Sequence, residues 1–222
     1  NVYDNGAKLE LRAKFPAHKM FLDRNSLKSD AVIPEFCFRT SHNSTWANNG
    51  MMGLWRSKCW NTLVSGDKLA YVYGRHTKNF NVPAFASKIG NAGKYIAGTG
   101  LNQMREWYHK EISRDATINL FTKTLAKRTD NVTRKTVPNK VMLSNLMKIF
   151  DEENRHLHGR STYESYATRT KGTLWSAYQA ATHWSSHDKS NVNKKPAHNV
   201  IGIREDRVRK MLHSDEWLAL AA

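Results

Sequence analysis

The stretch from about Glu35 to Lys78 alternates polar and apolar side chains at a period of two, and nothing else in the chain constrains its fold as much. Successive side chains of an extended strand point to opposite faces, so this spacing excludes a helix and asks for a sheet. Glu35–His42 sets Phe36, Phe38 and Thr40 on one face and Cys37, Arg39 and Ser41 on the other. A turn-rich connection, Asn43–Gly50, ends in Asn48-Asn49-Gly50, a strong hairpin sequence. Met51–Val64 reads as the second strand, with Leu54, Arg56, Lys58 and Trp60 opposed to Trp55, Ser57 and Cys59. Ser65-Gly66-Asp67 turns the chain, and Leu69–Arg75 returns with Leu69, Tyr71, Tyr73 and Arg75 on one face. Three strands joined by short polar turns predict an antiparallel meander.

Upstream, residues 7–22 also alternate, and Pro16 makes the middle of that run either an edge or a break between two short strands, followed by a loop over Asp23–Asp30. Val82–Pro83 ends the sheet, and from Ala84 the spacing becomes helical: Phe85, Ile89, Ala92, Ile96, Met104, Trp107 and Ile112 recur at three- and four-residue steps. Gly90, Gly93, Gly98 and Gly100 imply either close packing on the sheet or a break near Gly98–Gly100. A second helix is expected to start at an Asp115 N-cap and to carry Ile118, Phe121 and Leu125. Lys123–Lys140 reads as a basic loop. Helices then follow over Val141–Leu157, Thr173–His187 and Ile203–Leu220, with a polar basic segment at Lys189–Asn199. The expectation is a single α+β domain over residues 1–222. A small antiparallel meander (about 7–80) is packed on and followed by several helices (about 84–220).

Charge is the next constraint. The chain carries 35 Lys and Arg against 19 Asp and Glu, a formal net charge of +16, which favours a polyanionic partner. Nucleic acid comes before an anionic membrane surface, because the cations are interleaved with Trp and Tyr in folded segments. Cys37 and Cys59 have no metal-ligand spacing and read as buried thiols of a reducing compartment. No apolar run of membrane-spanning length and no signal-peptide pattern occurs, so the protein reads as soluble and intracellular. The chain opens at Asn1 rather than a methionine and reads as a fragment of a longer one.

Phosphates bind Lys and Arg with little geometric demand, and unpaired bases need flat platforms. Arg56, Lys58, Arg75, His76 and Lys78 on the strands are therefore the candidate contacts. Lys94 joins them from the following helix, with Lys127 and Arg128 from the basic loop and Trp55, Tyr71 and Tyr73 as stacking partners. Helix-turn-helix, zinc-finger, RRM and KH patterns are absent, so binding follows the backbone rather than base sequence. No phosphate-cradling GxxxxGK[ST] occurs, which argues against ATP use, and no nucleophile arrangement stands out. The enzyme alternative is a metal-dependent nuclease built on Glu152 and His156; His76 on its basic strand is a separate candidate general base with no acid nearby to orient it, and a host-interaction protein is the third reading.

Ser41-His42-Asn43, Arg56-Ser57-Lys58-Cys59-Trp60-Asn61, Arg75-His76-Thr77 and Thr173-Leu174-Trp175-Ser176-Ala177-Tyr178 stand in this order along the chain. The series resembles a phage/plasmid-like domain family marked by SHDGS, RxxCxN, RHT and TLWxxY segments. Asn43 stands where that family has Asp, and Trp60 interrupts its Cys-Ser-Asn run. The family's phage context and strand-then-helix order are in turn similar to the single-strand annealing proteins, the Redβ, Erf and Rad-fifty-two-type group. The resemblance implies an ATP-independent protein of phage recombination and repair, free of cofactors and of catalytic residues, acting as a homo-oligomeric ring or filament in the bacterial cytoplasm. Its partners would be single-stranded DNA, the annealed duplex, and a phage exonuclease or host single-strand-binding protein, with no membrane.

Overall fold

Leu9, Leu11 and Ala13 alternate with Lys8, Glu10, Arg12 and Lys14, and in the computed structural model this run is a strand, Lys8–Lys14 (β2), preceded by Val2–Tyr3 (β1). The structure describes residues 2–22, 31–43, 45–56, 62–63, 71–77, 79–157, 171–187 and 197–222. Where the sequence reads as one domain, the chain separates into two compact units, Asn1–Gln103 and Met104–Ala222.

The first unit holds an antiparallel sheet of six strands. After β1 and β2 come Val32–Ser41 (β3), Asn48–Arg56 (β4), Thr62–Leu63 (β5) and Tyr71–Gly74 (β6); β1 to β4 neighbour one another in chain order, and both β5 and β6 pair with β4. Pro16 breaks the first run as expected. It opens a 3-10 turn, Pro16–His18, and Met20 then bridges Val32.

Two expected turns move. Asn48-Asn49-Gly50 lies inside β4, with Arg39 opposite Asn49 and Phe38 opposite Gly50, so the β3–β4 reversal occupies residues 42–47. Gly50 serves packing rather than turning: a Cβ there would lie 3.3 Å from both Phe36 and Ile89 and 3.4 Å from Phe85. The expected long strand Met51–Val64 ends at Arg56, and by Thr62 the chain already runs antiparallel to it, Leu63 facing Leu54. The Ser65-Gly66-Asp67 turn, Leu69, Trp60 and Cys59 lie outside the described residues.

The register sorts the sheet into two faces. Phe36, Phe38, Gly50, Met52 and Leu54 share the face on which the helix Val82–Tyr95 (α1) packs, with Phe38 and Phe85 rings 6.0 Å apart and Gly93 against Met52. Lys8, Glu10, Arg12 and Lys14 share the other face with Arg39, Met51, Trp55, Tyr71 and Tyr73. Helix α1 begins two residues before Ala84, because Asn81 caps it by accepting from the Ala84 amide (2.9 Å) and Pro83 suits its first turn. The glycine run does not stop the helix: a π-helical turn, Ile96–Gly100, joins α1 to Leu101–His109 (α2), and Gly93 packs closely against Met52 of the sheet.

The second unit is mainly helical. Ile112 belongs to a short strand, Glu111–Ser113 (β7), paired with Lys171–Thr173 (β10). The next helix, Arg114–Thr124 (α3), is capped by Ser113, whose Oγ accepts from the Ala116 amide (3.1 Å); Asp115 sits in its first turn, where a carboxylate suits the helix dipole. The segment expected as a basic loop, Lys123–Lys140, instead ends α3, forms a β-ribbon with Lys127–Thr129 (β8) antiparallel to Thr136–Pro138 (β9), and opens the next helix. Lys140–Leu157 (α4) and Leu174–His187 (α5) match expectation closely. The last expected helix is two, Ala197–Leu212 (α6) and Asp215–Ala221 (α7), divided where Ser214 Oγ accepts from the Trp217 amide (3.2 Å). Ala197–Asn199, read as part of a loop, are already in α6.

Helix α5 is the axis of this unit: every residue from Leu174 to Thr182 is buried. Two of its hydroxyls bond within the helix, Thr182 Oγ1 donating to the Tyr178 carbonyl (3.1 Å) and Ser185 Oγ to that of Thr182 (2.9 Å). Tyr178, Trp107 and Trp217 form an aromatic cluster, with Trp107 ring centroids 5.1 and 5.0 Å from the other two. Among the described residues no helix is long and apolar enough to cross a membrane.

Candidate nucleic-acid interface

Strand β2 brings Lys8, Glu10, Arg12 and Lys14 to one face at period two, and β3 adds Glu35 and Arg39 beside them. Glu10 is the hub. Its carboxylate accepts from Arg12 Nε (2.9 Å) and Arg39 Nε (2.7 Å), and Arg12 also lies 3.7 Å from Glu35. Burial opposes the Glu10 charge, but the hydrogen bonds and charges of Arg12 and Arg39 outweigh it and hold the carboxyl at a pKa of about 2. The two guanidiniums remain about one-fifth exposed, Arg12 at 23 % and Arg39 at 20 %, while Glu10 beneath them is 5 % exposed.

Aromatic rings stand on the same face. Tyr71 pairs with Met51 and Tyr73 with Asn49 across β4 and β6, and Trp55 follows along β4. Tyr73 is 62 % exposed, Tyr71 and Trp55 half-buried. Lys14 Nζ lies 3.6 Å from the Trp55 ring centroid, a close cation–π contact. The face therefore carries rings along β4 and β6 and cations along β2 and β3, the two groups that stacking of unpaired bases and neutralisation of their phosphates require.

One end of the sheet is latched by a polar cluster. Ser41 Oγ donates to the Trp46 carbonyl (3.0 Å) and accepts from its amide (2.8 Å), fixing the β3–β4 turn. Asn43 Oδ1 accepts from the amide (3.3 Å) and hydroxyl (2.6 Å) of Thr45. His76 Nε2 lies 3.0 Å from the Trp46 carbonyl; that oxygen only accepts, so Nε2 carries the ring proton. The same nitrogen is 3.4 Å from Thr40 Oγ1, which donates to Asn48 Oδ1 (2.7 Å). Two segments far apart in sequence, Ser41-His42-Asn43 and Arg75-His76-Thr77, thus meet at one site.

The sequence-selected residues divide accordingly. Trp55, Tyr71 and Tyr73 come together on the face just described, and Arg75 is exposed immediately after β6. His76 is exposed and belongs to the latch. Arg56 is corrected: it is 1 % exposed and lies on the face covered by α1, opposite the tyrosines, so it is removed from the phosphate contacts. Lys94 is exposed, but on α1, the helix that covers the face opposite the tyrosines. Lys127 and Arg128 are exposed on the ribbon of the second unit. Lys58 and Lys78 lie outside the described residues. The cations of this face that the sequence reading missed are Arg12, Lys14 and Arg39, and the signal was present: Lys-Leu-Glu-Leu-Arg-Ala-Lys places three cations on one face of a strand, of which Lys8 is buried.

For the nuclease alternative, Glu152 is half-buried on α4, while the His156 side chain lies outside the described ones. Among the described residues, no group of three or more His, Cys, Asp or Glu is placed to hold a metal ion. The Thr173–Tyr178 segment serves the fold. Thr173 Oγ1 caps α5 by accepting from the Ser176 amide (3.1 Å), its own amide donates to Asn154 Oδ1 (3.2 Å), and Leu174, Trp175 and Tyr178 are fully buried.

No curated protein and no solved structure matches the chain. A family model described as a domain of unknown function, DUF932, matches residues 5–214, across both units, and the chain belongs to that family.

Proposed function

We propose that this chain is an ATP-independent single-stranded-DNA-binding and annealing protein that acts as a homo-oligomeric ring or filament in phage recombination. The observation that carries the reading is the sheet face opposite α1, which Trp55, Tyr71 and Tyr73 share with Lys14, Arg12 and Arg39, Lys14 lying over the Trp55 ring. Its composition suits an extended single strand: aromatic faces accept any base, and the cations follow the backbone without reading sequence. The net charge of +16 supports the same class of partner.

Annealing then follows from electrostatics and order. Cations that neutralise one strand lower its repulsion toward a complement, and holding it extended removes ordering cost from the pairing step. Repetition of the site through an oligomer converts successive contacts into intramolecular ones. A phage exonuclease producing single strands, or a host single-strand-binding protein, is the partner such a protein works beside.

The test is an annealing assay on complementary oligonucleotides without nucleotide triphosphate, beside a titration of single-strand binding against KCl. Accelerated annealing, with affinity falling steeply as salt rises, is expected. Affinity indifferent to salt, or no acceleration at saturating protein, overturns the reading.

A further inference from the structure

The β8–β9 ribbon carries charge and exposure that packing does not account for. Its root is fixed: Leu125 and Ala126 are fully buried, and the Asn139 amide donates to the Ala126 carbonyl (2.7 Å). Its tip is preorganised. Asp130 Oδ1 accepts from the amides of Val132 (3.1 Å) and Thr133 (2.7 Å) and from the Thr133 hydroxyl (2.9 Å), while the Asp130 amide donates to the Lys135 carbonyl (2.9 Å). The one acid of the ribbon is thus occupied in shaping the turn. Lys127, Arg128, Arg134 and Lys135 are all exposed, and among the described residues none of them is held in a salt bridge. At the tip Val132 is 90 % exposed, the largest exposure among the large hydrophobic side chains of the described residues.

A short two-stranded ribbon with no apolar face of its own adds little to a core, so this shape points outward for a reason other than stability. Two strands about 4.8 Å apart, with their side chains, fit a major groove about 12 Å wide and overfill a minor groove about 6 Å wide. Three-residue strands extend about 10 Å, enough to reach a floor about 8.5 Å deep. We propose that the β8–β9 ribbon is a duplex-DNA arm that enters the major groove, with Lys127, Arg128, Arg134 and Lys135 on the flanking phosphates and Val132 against base edges. This inference shares with the reading above only that the partner is nucleic acid; it assigns a different element, in the other unit, to the double-stranded form.

The test measures binding of a 20-base-pair duplex and, separately, of a 20-nucleotide single strand, over a KCl series, with the full chain. Replacing the four cations (Lys127→Gln, Arg128→Gln, Arg134→Asn, Lys135→Gln) is expected to flatten the duplex log–log salt slope by about 3 to 4, close to 0.9 per phosphate contact. Asn is chosen at position 134 because that residue has φ +57, which Asn tolerates. A second variant confined to the strand, Lys127→Gln with Arg128→Gln, leaves the turn intact and should flatten the slope by about 2. Val132→Ser should lower affinity about fourfold on a thymine-containing duplex, the loss of roughly one methylene contact, and less on a uracil-substituted one. An unchanged duplex slope in both cation variants, with circular dichroism showing them folded, overturns the arm. If single-strand binding still depends on Tyr73 in that case, only the arm has failed; ribbon-dependent duplex binding without any single-strand binding overturns the sheet reading alone.

Discussion

Neutralising Glu10 should destabilise the protein and at the same time free its cationic face. With an ordinary carboxyl pKa of 4.5 and a folded value of about 2, the charged state of Glu10 contributes roughly 3 kcal/mol at neutral pH. The side chain is 5 % exposed, so solvent screening takes little from that figure. The folded pKa lies below the unfolded one, so the contribution is complete above about pH 5 and fades as pH falls, to about half near pH 3 and little by pH 2. Glu10→Gln removes the pH-dependent part while keeping the shape of the side chain.

The assay is urea unfolding of the wild type and Glu10→Gln at steps between pH 7 and pH 2.5, followed by tryptophan fluorescence. The difference in stability should be about 3 kcal/mol at pH 7, at the lower end of the range for breaking a buried pair, and should shrink toward the acid end. A difference below about 1 kcal/mol at pH 7, or one that stays constant with pH, refutes the reasoning. The same variant tests function in the opposite direction. Arg12 and Arg39 lose their shared counter-charge, so single-strand binding should tighten and its salt slope steepen by up to about 1.4, the share of two phosphates. Weaker binding by a folded variant would mean that the face does not meet a polyanion.

Tyr73→Ala should weaken single-strand binding by about 1–3 kcal/mol, as loss of one stacked base would, with the salt slope unchanged; a fluorescence-anisotropy titration separates the two effects. Gly172→Ala would drive a Cβ into Asn154 and Phe150, and thermal unfolding should show a loss of about 1–3 kcal/mol in the second unit. Burial, and then the neighbouring His187, lower the pKa of His183 against the opposing pull of Glu153 and Glu152. Its neutral form therefore supports the fold above about pH 6.5 and that support is lost as pH falls below it, which His183→Gln should abolish in a melting-temperature series.

How far the sequence carried can be argued from Arg56 and Tyr73. Period two placed each on the correct side of its own strand, but it cannot say which side a helix will cover. Helix α1 packs on the face that carries Arg56, which is 1 % exposed, and Tyr73 on the other face stays exposed. Core helices were legible because α4 and α5 are long enough for helical spacing to repeat. The ribbon was not, since strands of three residues show no period and its turn rests on an Asp130 side chain that reads locally as loop chemistry. Ser113 and Asp115 are equally good capping types, and only the actual hydrogen bond, from the Ala116 amide, decides between them.

The short motifs that suggested one function separate physically into two kinds. Thr173-Leu174-Trp175 caps and buries α5, and any chain with this helical core would need something like it, so that segment says little about a partner. Ser41-His42-Asn43 and Arg75-His76-Thr77 are different, because most of their side chains are exposed and the burial of a core does not explain them. His76 ties the β3–β4 turn to the end of β6 through the Trp46 carbonyl. The latch holds the strand ends carrying Tyr73 and Arg75 in register with the turn beside Lys8, whose Nζ lies 5.3 Å from the Trp46 ring centroid. A surface that bound its partner through charge alone would need no such fixed geometry. One that stacks bases does, because rings must stay spaced along the strand while the phosphates slide past the cations.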